Sequence, residues 1–330
     1  MNPNPFKAKE LLSKYTSLVT FIVLIFILSV LTQGRVLSLD SMRTLIIAEA
    51  VRAFAALGVG MIIITRGIDL SVGAVVCLTA SVAASFAQDP GLPTAIYPGM
   101  HFPLIVPIAA GIIVGALCGL FNGILVAYGK LPPFIATLGT MVIARGLQLI
   151  YTRAAIVSSL TEPYRAIAQT SFGPMRFPIL GIYVILIAII IWTLMRHTRQ
   201  GSNFYAIGGN IQAALVSGIN VEKNLVCVYL YAGILYGIAG ILVSSRLALA
   251  NALTASGMEL DAIAAVTVGG ISHSGGVGTV GGMIVGIFTM GLIRFGMSFM
   301  AINPHFQNLV QGAIIIMAVY FDMKKHAKRS

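Results

Sequence analysis

The stretch LIVPIAAGIIVGALCGLFNGILVAYG, residues 104–129, decides the fold class. It carries no charged residue and is longer than the roughly 20 apolar residues that a helix needs to cross a membrane. Glycine recurs at every fourth position, at Gly111, Gly115, Gly119 and Gly123. This spacing places the four glycines on one helix face, where another backbone can approach closely. The face therefore predicts tight helix packing, either inside one subunit or between two copies.

The rest of the chain has the same character. Of its 330 residues 58% are apolar, with only 21 basic and 10 acidic residues, whereas soluble domains are about one-quarter charged. The high apolar content, the aperiodic glycines and the low cysteine count exclude disordered, collagen-like and disulfide-scaffold proteins. Cys77, Cys118 and Cys227 lie in apolar runs and are expected to be small buried hydrophobic residues. We predict an all-α polytopic membrane protein that forms a single transmembrane domain over residues 1–330.

Hydropathy and helix breakers predict about ten transmembrane helices, near residues 16–33, 43–64, 71–87, 103–128, 134–152, 178–195, 224–245, 260–271, 278–299 and 305–322. Two five-helix halves of opposite orientation would form the inverted repeat that many transporters use. The eighth segment is short, so we expect it to be tilted, broken or re-entrant. No small-residue cleavage site follows the first segment, which we therefore expect to be retained.

The net charge of +11 comes from basic residues in particular places. All eight lysines lie at the termini or in two loops: Lys7, Lys9, Lys14, Lys130, Lys223, Lys324, Lys325 and Lys328. Such segments remain in the cytoplasm, so both termini and the loop near residues 196–223 are predicted to be cytoplasmic. No basic helix with interleaved aromatic residues occurs, which argues against nucleic-acid binding.

Charged residues inside predicted spans are functional candidates by default. Glu49 and Arg52 are three residues apart on one helix face, and we expect them to form an ion pair. Arg145 and Arg294 have no obvious partner in the sequence.

Residues 65–73, TRGIDLSVG, connect the second and third predicted spans. Gly67 is expected to end one helix, and Asp69 is a good N-cap for the next, where its charge suits the helix dipole. Two interpretations remain open. Asp69 is simply a cap, or the broken junction lies against a translocation cavity, where irregular backbone is tolerated at membrane depth.

Residues 208–221, GGNIQAALVSGINV, lie in the large predicted cytoplasmic loop. Asn210 can cap a helix of about two turns, and Gly218 can end it in the left-handed conformation. Small residues then share one face: Asn210, Ala213, Ala214, Ser217 and Gly218. Because so short a helix is marginal alone in water, this face is expected to pack, either in a groove of a soluble partner or on its own subunit.

Residues 257–282 place Glu259 and Asp261 at the start of the eighth segment, where acidic residues favour a helix N-terminus. A glycine-rich stretch with a GxGxxG pattern at Gly276, Gly278 and Gly281 follows. It lacks the strand and the downstream acidic residue of a dinucleotide site, so we predict a tight, flexible turn. The chain has no GxxxxGK[ST] loop and no nucleophile elbow, so it is not expected to be an enzyme or to hold a cofactor or metal.

Taken together, these segments resemble the membrane permease subunits of ribose- and galactose-type ABC sugar importers, which are similar in fold to branched-chain amino-acid permeases. The resemblance covers about residues 40–322. It rests on four motifs in order: GIDLSVG at 67–73, FNGILVAYGKLPPFIATLGTM at 121–141, AIGGNIQAALVSGINV at 206–221 and ELDAIAAVTVGGISHSGGVGTVGG at 259–282.

The resemblance implies a multi-pass permease of the bacterial inner (plasma) membrane that forms a homodimer. A partner ATPase would bind ATP and Mg, and a periplasmic or lipid-anchored sugar-binding protein would deliver a monosaccharide. The ATPase contact would be the coupling helix with Asn210, Ala213, Ala214, Ser217 and Gly218, and a translocation path would involve Asp69, Ser71, Asn122, Thr137 and Ser272. Two alternatives stay open. The substrate is a nucleoside, or the chain is an ion-coupled secondary transporter with Asp69 and Glu49 as coupling carboxylates.

Overall fold

The computed structural model describes residues 16–327, which fold into helices and one small ribbon. The first helices are α1 Thr16–Leu31, α2 Leu39–Ile64, α3 Val72–Phe86, α4 Ile105–Ala127, α5 Pro133–Thr152 and α6 Glu162–Gln169. Strands β1 Ser171–Phe172 and β2 Phe177–Pro178 pair antiparallel. The later helices are α7 Ile179–His197, α8 Arg199–Gly209, α9 Ile211–Val216, α10 Val221–Leu247, α11 Met258–Val268, α12 Val280–Phe299 and α13 Pro304–Ala327.

A helix occupies each predicted span. Within the described range, seven helices are long and apolar enough to cross a membrane: α2, α4, α5, α7, α10, α12 and α13. The apolar helices α1 and α3 are shorter, and α11 has 11 residues. The helical membrane-protein class is therefore confirmed, while ten crossings and two inverted halves stay predictions.

Several connections gather at one end of the bundle, beside α8 and α9. Lys130 Nζ lies 2.8 Å from Glu222 Oε1, which places the α4–α5 turn next to the start of α10. The backbone N–H of Gly276 donates to Ile64 O at 2.8 Å, which joins the α11–α12 loop to the end of α2. We call this the α9 end.

The remaining long connections meet at the opposite end. An isolated β-bridge joins Gln88, after α3, to Leu160, before α6. A second bridge joins Val157 to Ala250, which follows α10. The loops after α3, α5 and α10 therefore share one surface, away from α9.

Helix α10 forms the centre of the bundle, packed between α2, α3 and α4. The glycine stripe of α4 faces the glycines of α10. A Cβ added to Gly115 would lie 2.7 Å from Gly237 N, and one added to Gly233 would lie 2.9 Å from Gly119 N. The two backbones are in direct contact, so the stripe packs within one subunit. The alternative that this stripe forms a seam between two copies is wrong.

The segment between α10 and α11 runs from one end of the bundle into its interior. From Ala250 at the end opposite α9, it passes Cys77, whose Sγ lies 3.3 Å from Asn251 O. It then reaches the beginning of α3, where a Cβ on Gly73 would lie 2.5 Å from Ala255 O. Helix α11 therefore starts inside the bundle, and this explains the short eighth segment of the sequence.

Candidate functional site

The local structure of α9 follows from its two capping residues. Asn210 Oδ1 accepts hydrogen bonds from Gln212 N and Ala213 N, both at 3.0 Å, as expected of an N-cap. Gly218 has φ +80°, and Ile219 N donates back across it to the helix. Both predicted ends are confirmed, but α9 has only six residues, fewer than two turns.

The faces of α9 differ from the predicted ones. Ala214 is buried against Ile207 and Val221 of its own subunit, so its predicted outward position is wrong. The other four predicted contact residues, Asn210, Ala213, Ser217 and Gly218, are exposed. The outward surface also carries apolar residues that sequence reasoning missed: Ile211, Leu215 and Val216, of which Val216 is 90% exposed. Ala214 thus anchors α9 on its own subunit, and the other faces of the helix are exposed.

Arg66 connects α9 to the membrane helices. Its Nη2 donates to Gly209 O at 2.8 Å, immediately before the N-cap of α9. Its Nε donates to Ser274 O at 2.7 Å in the α11–α12 loop. Because Arg66 follows the C-cap of α2, one guanidinium ties the end of α2 to the residue before α9 and to the α11–α12 loop.

The glycine-rich loop between α11 and α12 packs against the same place. A Cβ on Gly208 would lie 2.6 Å from Gly276 N, and one on Gly276 would lie 2.7 Å from Gly209 N. Tyr205 Oη donates to Gly278 O at 3.0 Å. Gly276 of the GxGxxG pattern therefore allows close backbone contact with the end of α8.

Ser272 lies in this loop and contacts α13. Its Oγ donates to Asp322 Oδ2 at 3.0 Å, and His273 N donates to the same oxygen at 2.9 Å. Burial lowers the pKa of His273, whose Nε2 lies 2.8 Å from Thr267 Oγ1. Ser272 thus anchors the loop and does not join the other residues predicted for a translocation path.

The junction between α2 and α3 differs in detail from the sequence prediction. The left-handed residue after α2 is Arg66, with φ +63°, and Gly67 N donates to Ile62 O at 3.0 Å in a Schellman motif. Gly67 is needed for space, because a Cβ there would lie 2.9 Å from Tyr229 Oη. The predicted N-cap at Asp69 is wrong, since Ser71 occupies that position.

Asp69 instead organises a buried hydrogen-bond network. Its Oδ1 accepts from Ser71 N at 2.8 Å and from Ser71 Oγ at 2.6 Å, and its Oδ2 accepts from Tyr236 Oη at 3.1 Å. Asn122 Nδ2 donates to Ser71 Oγ at 3.0 Å, and Thr137 Oγ1 accepts from Leu70 N at 3.2 Å. All four predicted residues, Asp69, Ser71, Asn122 and Thr137, are buried. They brace the helix break in this conformation, and their part in transport stays a prediction.

A second group is ionic, and it is only partly buried. Glu49 Oε1 lies 3.0 Å from Arg52 Nη1, which confirms the expected pair. Glu49 Oε2 lies 2.7 Å from Arg294 Nη2. Asp261 completes the group, at 2.9 Å from both Arg52 Nε and Arg294 Nη1. Two acidic and two basic side chains from α2, α11 and α12 therefore cancel, and we call these four the ionic cluster.

The partners of the two unassigned arginines were not visible in the sequence. Arg294 is 245 residues away from Glu49 along the chain. The only available signal was that few acidic residues lie in the predicted spans. Arg145 Nη1 donates to Ala252 O at 2.8 Å, in the segment between α10 and α11. A backbone acceptor of this kind leaves no trace in residue types.

The chain is similar in sequence to known membrane transport proteins. A family model described as "Branched-chain amino acid transport system / permease component" matches residues 41–319. The chain belongs to this family. It is similar to the galactose/methyl galactoside import permease protein MglC of Haemophilus influenzae, at 38% identity over 94% of both chains. The MglC protein of Escherichia coli is 37% identical over 94% of both chains. The ribose import permease protein RbsC of Escherichia coli is 34% identical over 96% of both. No solved structure matches the chain.

Proposed function

We propose that this chain is the permease subunit of a binding-protein-dependent ABC importer for a monosaccharide of the galactose, methyl galactoside or ribose type. The observation that carries the proposal is its similarity, over nearly the whole of each chain, to permeases named for galactose, methyl galactoside and ribose import. Two copies would cross the bacterial inner membrane ten times each, with both termini and the α9 end in the cytoplasm. The lysine positions support this orientation.

In this proposal the chain performs no chemistry and binds no cofactor. A partner ATPase binds ATP and Mg, and a sugar-binding protein docks at the end opposite α9. Helix α9 is the coupling helix, because it is the exposed element that Arg66 connects to the membrane helices. Closure of the ATPase would move α9 and, through Arg66, both α2 and the α11–α12 loop.

The exposed residues of α9 support a partner at this surface. Ile211, Leu215 and Val216 are apolar and exposed at the α9 end, where they would meet water if nothing covered them. Clusters of exposed apolar residues typically mark protein interaction sites. Ala214 supports the contact indirectly, because it fixes α9 on its own subunit.

The ion-coupled alternative is less compatible with the two carboxylates that it requires. Glu49 is held by two arginines, and both oxygens of Asp69 accept hydrogen bonds in a buried site. A coupling carboxylate must exchange its proton or ion with water during each cycle. Neither group is exposed to water in this conformation.

A substitution on α9 tests the coupling contact. We expect Val216→Glu to weaken assembly with the ATPase by about 30-fold, the effect of losing about 2 kcal/mol at an interface hot spot. Val216 is exposed in the isolated chain, so the permease itself should fold normally. The measurement is co-purification of the ATPase from detergent, together with sugar uptake in cells.

Met175→Glu is the matched control, because Met175 is also an exposed apolar residue but lies in the turn between β1 and β2. This variant should keep the ATPase bound. If Val216→Glu retains both normal assembly and normal uptake, α9 is not the coupling helix.

A further inference from the structure

The segment between α10 and α11 covers a polar cavity. The cavity measures about 320 Å³ and is bounded by α2, α10, residues 249–256 and the first turn of α11. Its polar lining comprises Arg52, Arg246, Asn251, Thr254, Ser256 and Asp261. This volume falls in the range of about 300–1,000 Å³ that is typical of small-molecule sites. None of these residues belongs to the predicted translocation path.

The cavity lies deep in the bundle. The Asp69 carboxylate, which marks the beginning of α3, bonds to Tyr236 near the middle of α10. Ala255 lies against the first turn of α3, so the backbone between α10 and α11 reaches the same depth. Asp261 lies at the depth of Glu49 and Arg294, which are both well inside their helices. The floor of the cavity is therefore near the middle of the membrane.

The outer surface of the segment between α10 and α11 is exposed in the isolated chain. Leu253 is 78% exposed, and Ser256 and Leu260 are also exposed. Non-helical backbone does not face lipid, because its carbonyl and N–H groups would lack hydrogen-bond partners there. This surface must face water or protein, and water is favoured because the cavity behind it is lined by charged and amide groups.

The lining has the chemistry that a neutral sugar requires. Arginine donates hydrogen bonds, a carboxylate accepts them, and amide and hydroxyl groups do both, so hydroxyl groups can be matched in either direction. Arg52 and Asp261 pair with one another, so among the described lining residues Arg246 is the one charged residue outside the ionic cluster. Arg246 lines the cavity, and its Nη1 donates to Ile47 O of α2 at 2.9 Å, which holds the guanidinium at the cavity wall.

We infer that the cavity under residues 249–256 is a water-filled binding site for a neutral monosaccharide on its way through the membrane. This inference rests on the proposed function and adds the place where the sugar is held. Sugar enters from the end opposite α9 and passes the exposed surface of residues 249–256. It is bound weakly by side chains and backbone carbonyls. Asp69, Ser71, Asn122 and Thr137 brace the neighbouring helix break.

Cysteine labelling tests the inference. In a variant with Cys77, Cys118 and Cys227 replaced by alanine, Ser256→Cys should react with a membrane-impermeant, charged thiol reagent in the assembled importer. Galactose or ribose should slow this reaction by about tenfold at roughly ten times the dissociation constant, the factor given by occupancy. Ile185→Cys on α7 is the control, since Ile185 is equally an exposed position but would face lipid and should not react.

A second variant changes the cavity wall, and its unfolding temperature is measured beside transport because Arg246 also donates to Ile47 O. Arg246→Met should leave ATPase assembly and stimulation by the loaded binding protein intact, while sugar imported per ATP falls about tenfold, the factor for losing one charged hydrogen bond. Arg43→Met, at a partly exposed arginine of α2 that does not line the cavity, should transport normally.

Three results would overturn the inference. The Ser256→Cys variant is as unreactive as Ile185→Cys, or neither sugar slows its labelling. The third is a disulfide between the Ser256→Cys residues of two copies that excludes the reagent. Failure of the proposed function gives a different result. In that case the unmodified chain with its ATPase and binding protein would import no sugar at all, whatever the labelling shows.

Discussion

Replacing Glu49 with glutamine should destabilise the protein by about 3–5 kcal/mol, the cost of removing one partner from a buried ion pair. The side chain of Glu49 is only 3% exposed and contacts both Arg52 and Arg294. Its neutralisation leaves two arginines sharing Asp261, and therefore one uncompensated charge inside the bundle. Thermal unfolding of the purified chain in detergent measures the effect.

Two variants sharpen this prediction. Asp40→Asn removes another carboxylate–arginine pair of α2 at the same spacing, but Asp40 is 91% exposed, so its loss should cost at most about 1 kcal/mol. Glu49→Gln combined with Arg294→Met restores neutrality, because Arg52 keeps Asp261, and should recover part of the lost stability. Equal unfolding temperatures for Glu49→Gln and Asp40→Asn would show that the ionic cluster does not hold the helices together.

The second large effect is expected at the crossing of α4 and α10. Gly115→Leu should prevent folding or cost more than about 3 kcal/mol, above the usual 1–3 kcal/mol of overpacking. The reason is that the nearest atoms belong to the backbone of α10, Gly237 N and Cα among them. A backbone cannot move aside as a side chain can, so the central pair of helices would separate. Yield of monodisperse protein and its unfolding temperature report the outcome.

Gly139→Leu provides the comparison. Gly139 is also a glycine of an apolar helix, α5, but a Cβ there would meet nothing within 4 Å. In the isolated subunit this variant should fold, with a stability change below about 1 kcal/mol because no packed atom is displaced. A folded, stable Gly115→Leu protein would mean that α4 and α10 do not cross through their glycines.

Local signals in the sequence predicted local structure well. Helix positions followed from long apolar runs, and the ends of α9 followed from the capping ability of Asn210 and the left-handed preference of Gly218. The glycine stripe of α4 was recognised, and only its partner was left open. These features depend on residues close together in the chain.

Contacts between distant segments were predicted less well. Ala214 was placed outward because all residues of that face are small, but burial depends on where α8 and α10 lie. Arg66 was not singled out, because its acceptors are backbone carbonyls of Gly209 and Ser274, and any residue type supplies those. The polar cavity was missed for the same reason, since residues 249–256 form it by the path of their backbone and not by a motif.

The same distinction applies to the predicted path residues. Asp69, Ser71 and Asn122 were predicted to line or brace a path; the structure joins them in one hydrogen-bond network, and their part in transport stays a prediction. Polarity does not reveal whether such a group lines water or replaces it. In this conformation the three satisfy one another, and a polar cavity large enough for a solute lies near Asp261.

The central claim is that this chain is a passive gate moved by another protein, and reconstitution into liposomes tests it most directly. The account predicts that the purified chain alone, given a proton or sodium gradient, does not concentrate galactose or ribose. Addition of its ATPase, a loaded sugar-binding protein and ATP should produce accumulation against a gradient. Concentrative uptake by the chain alone, collapsed by a protonophore and indifferent to ATP, would contradict the account.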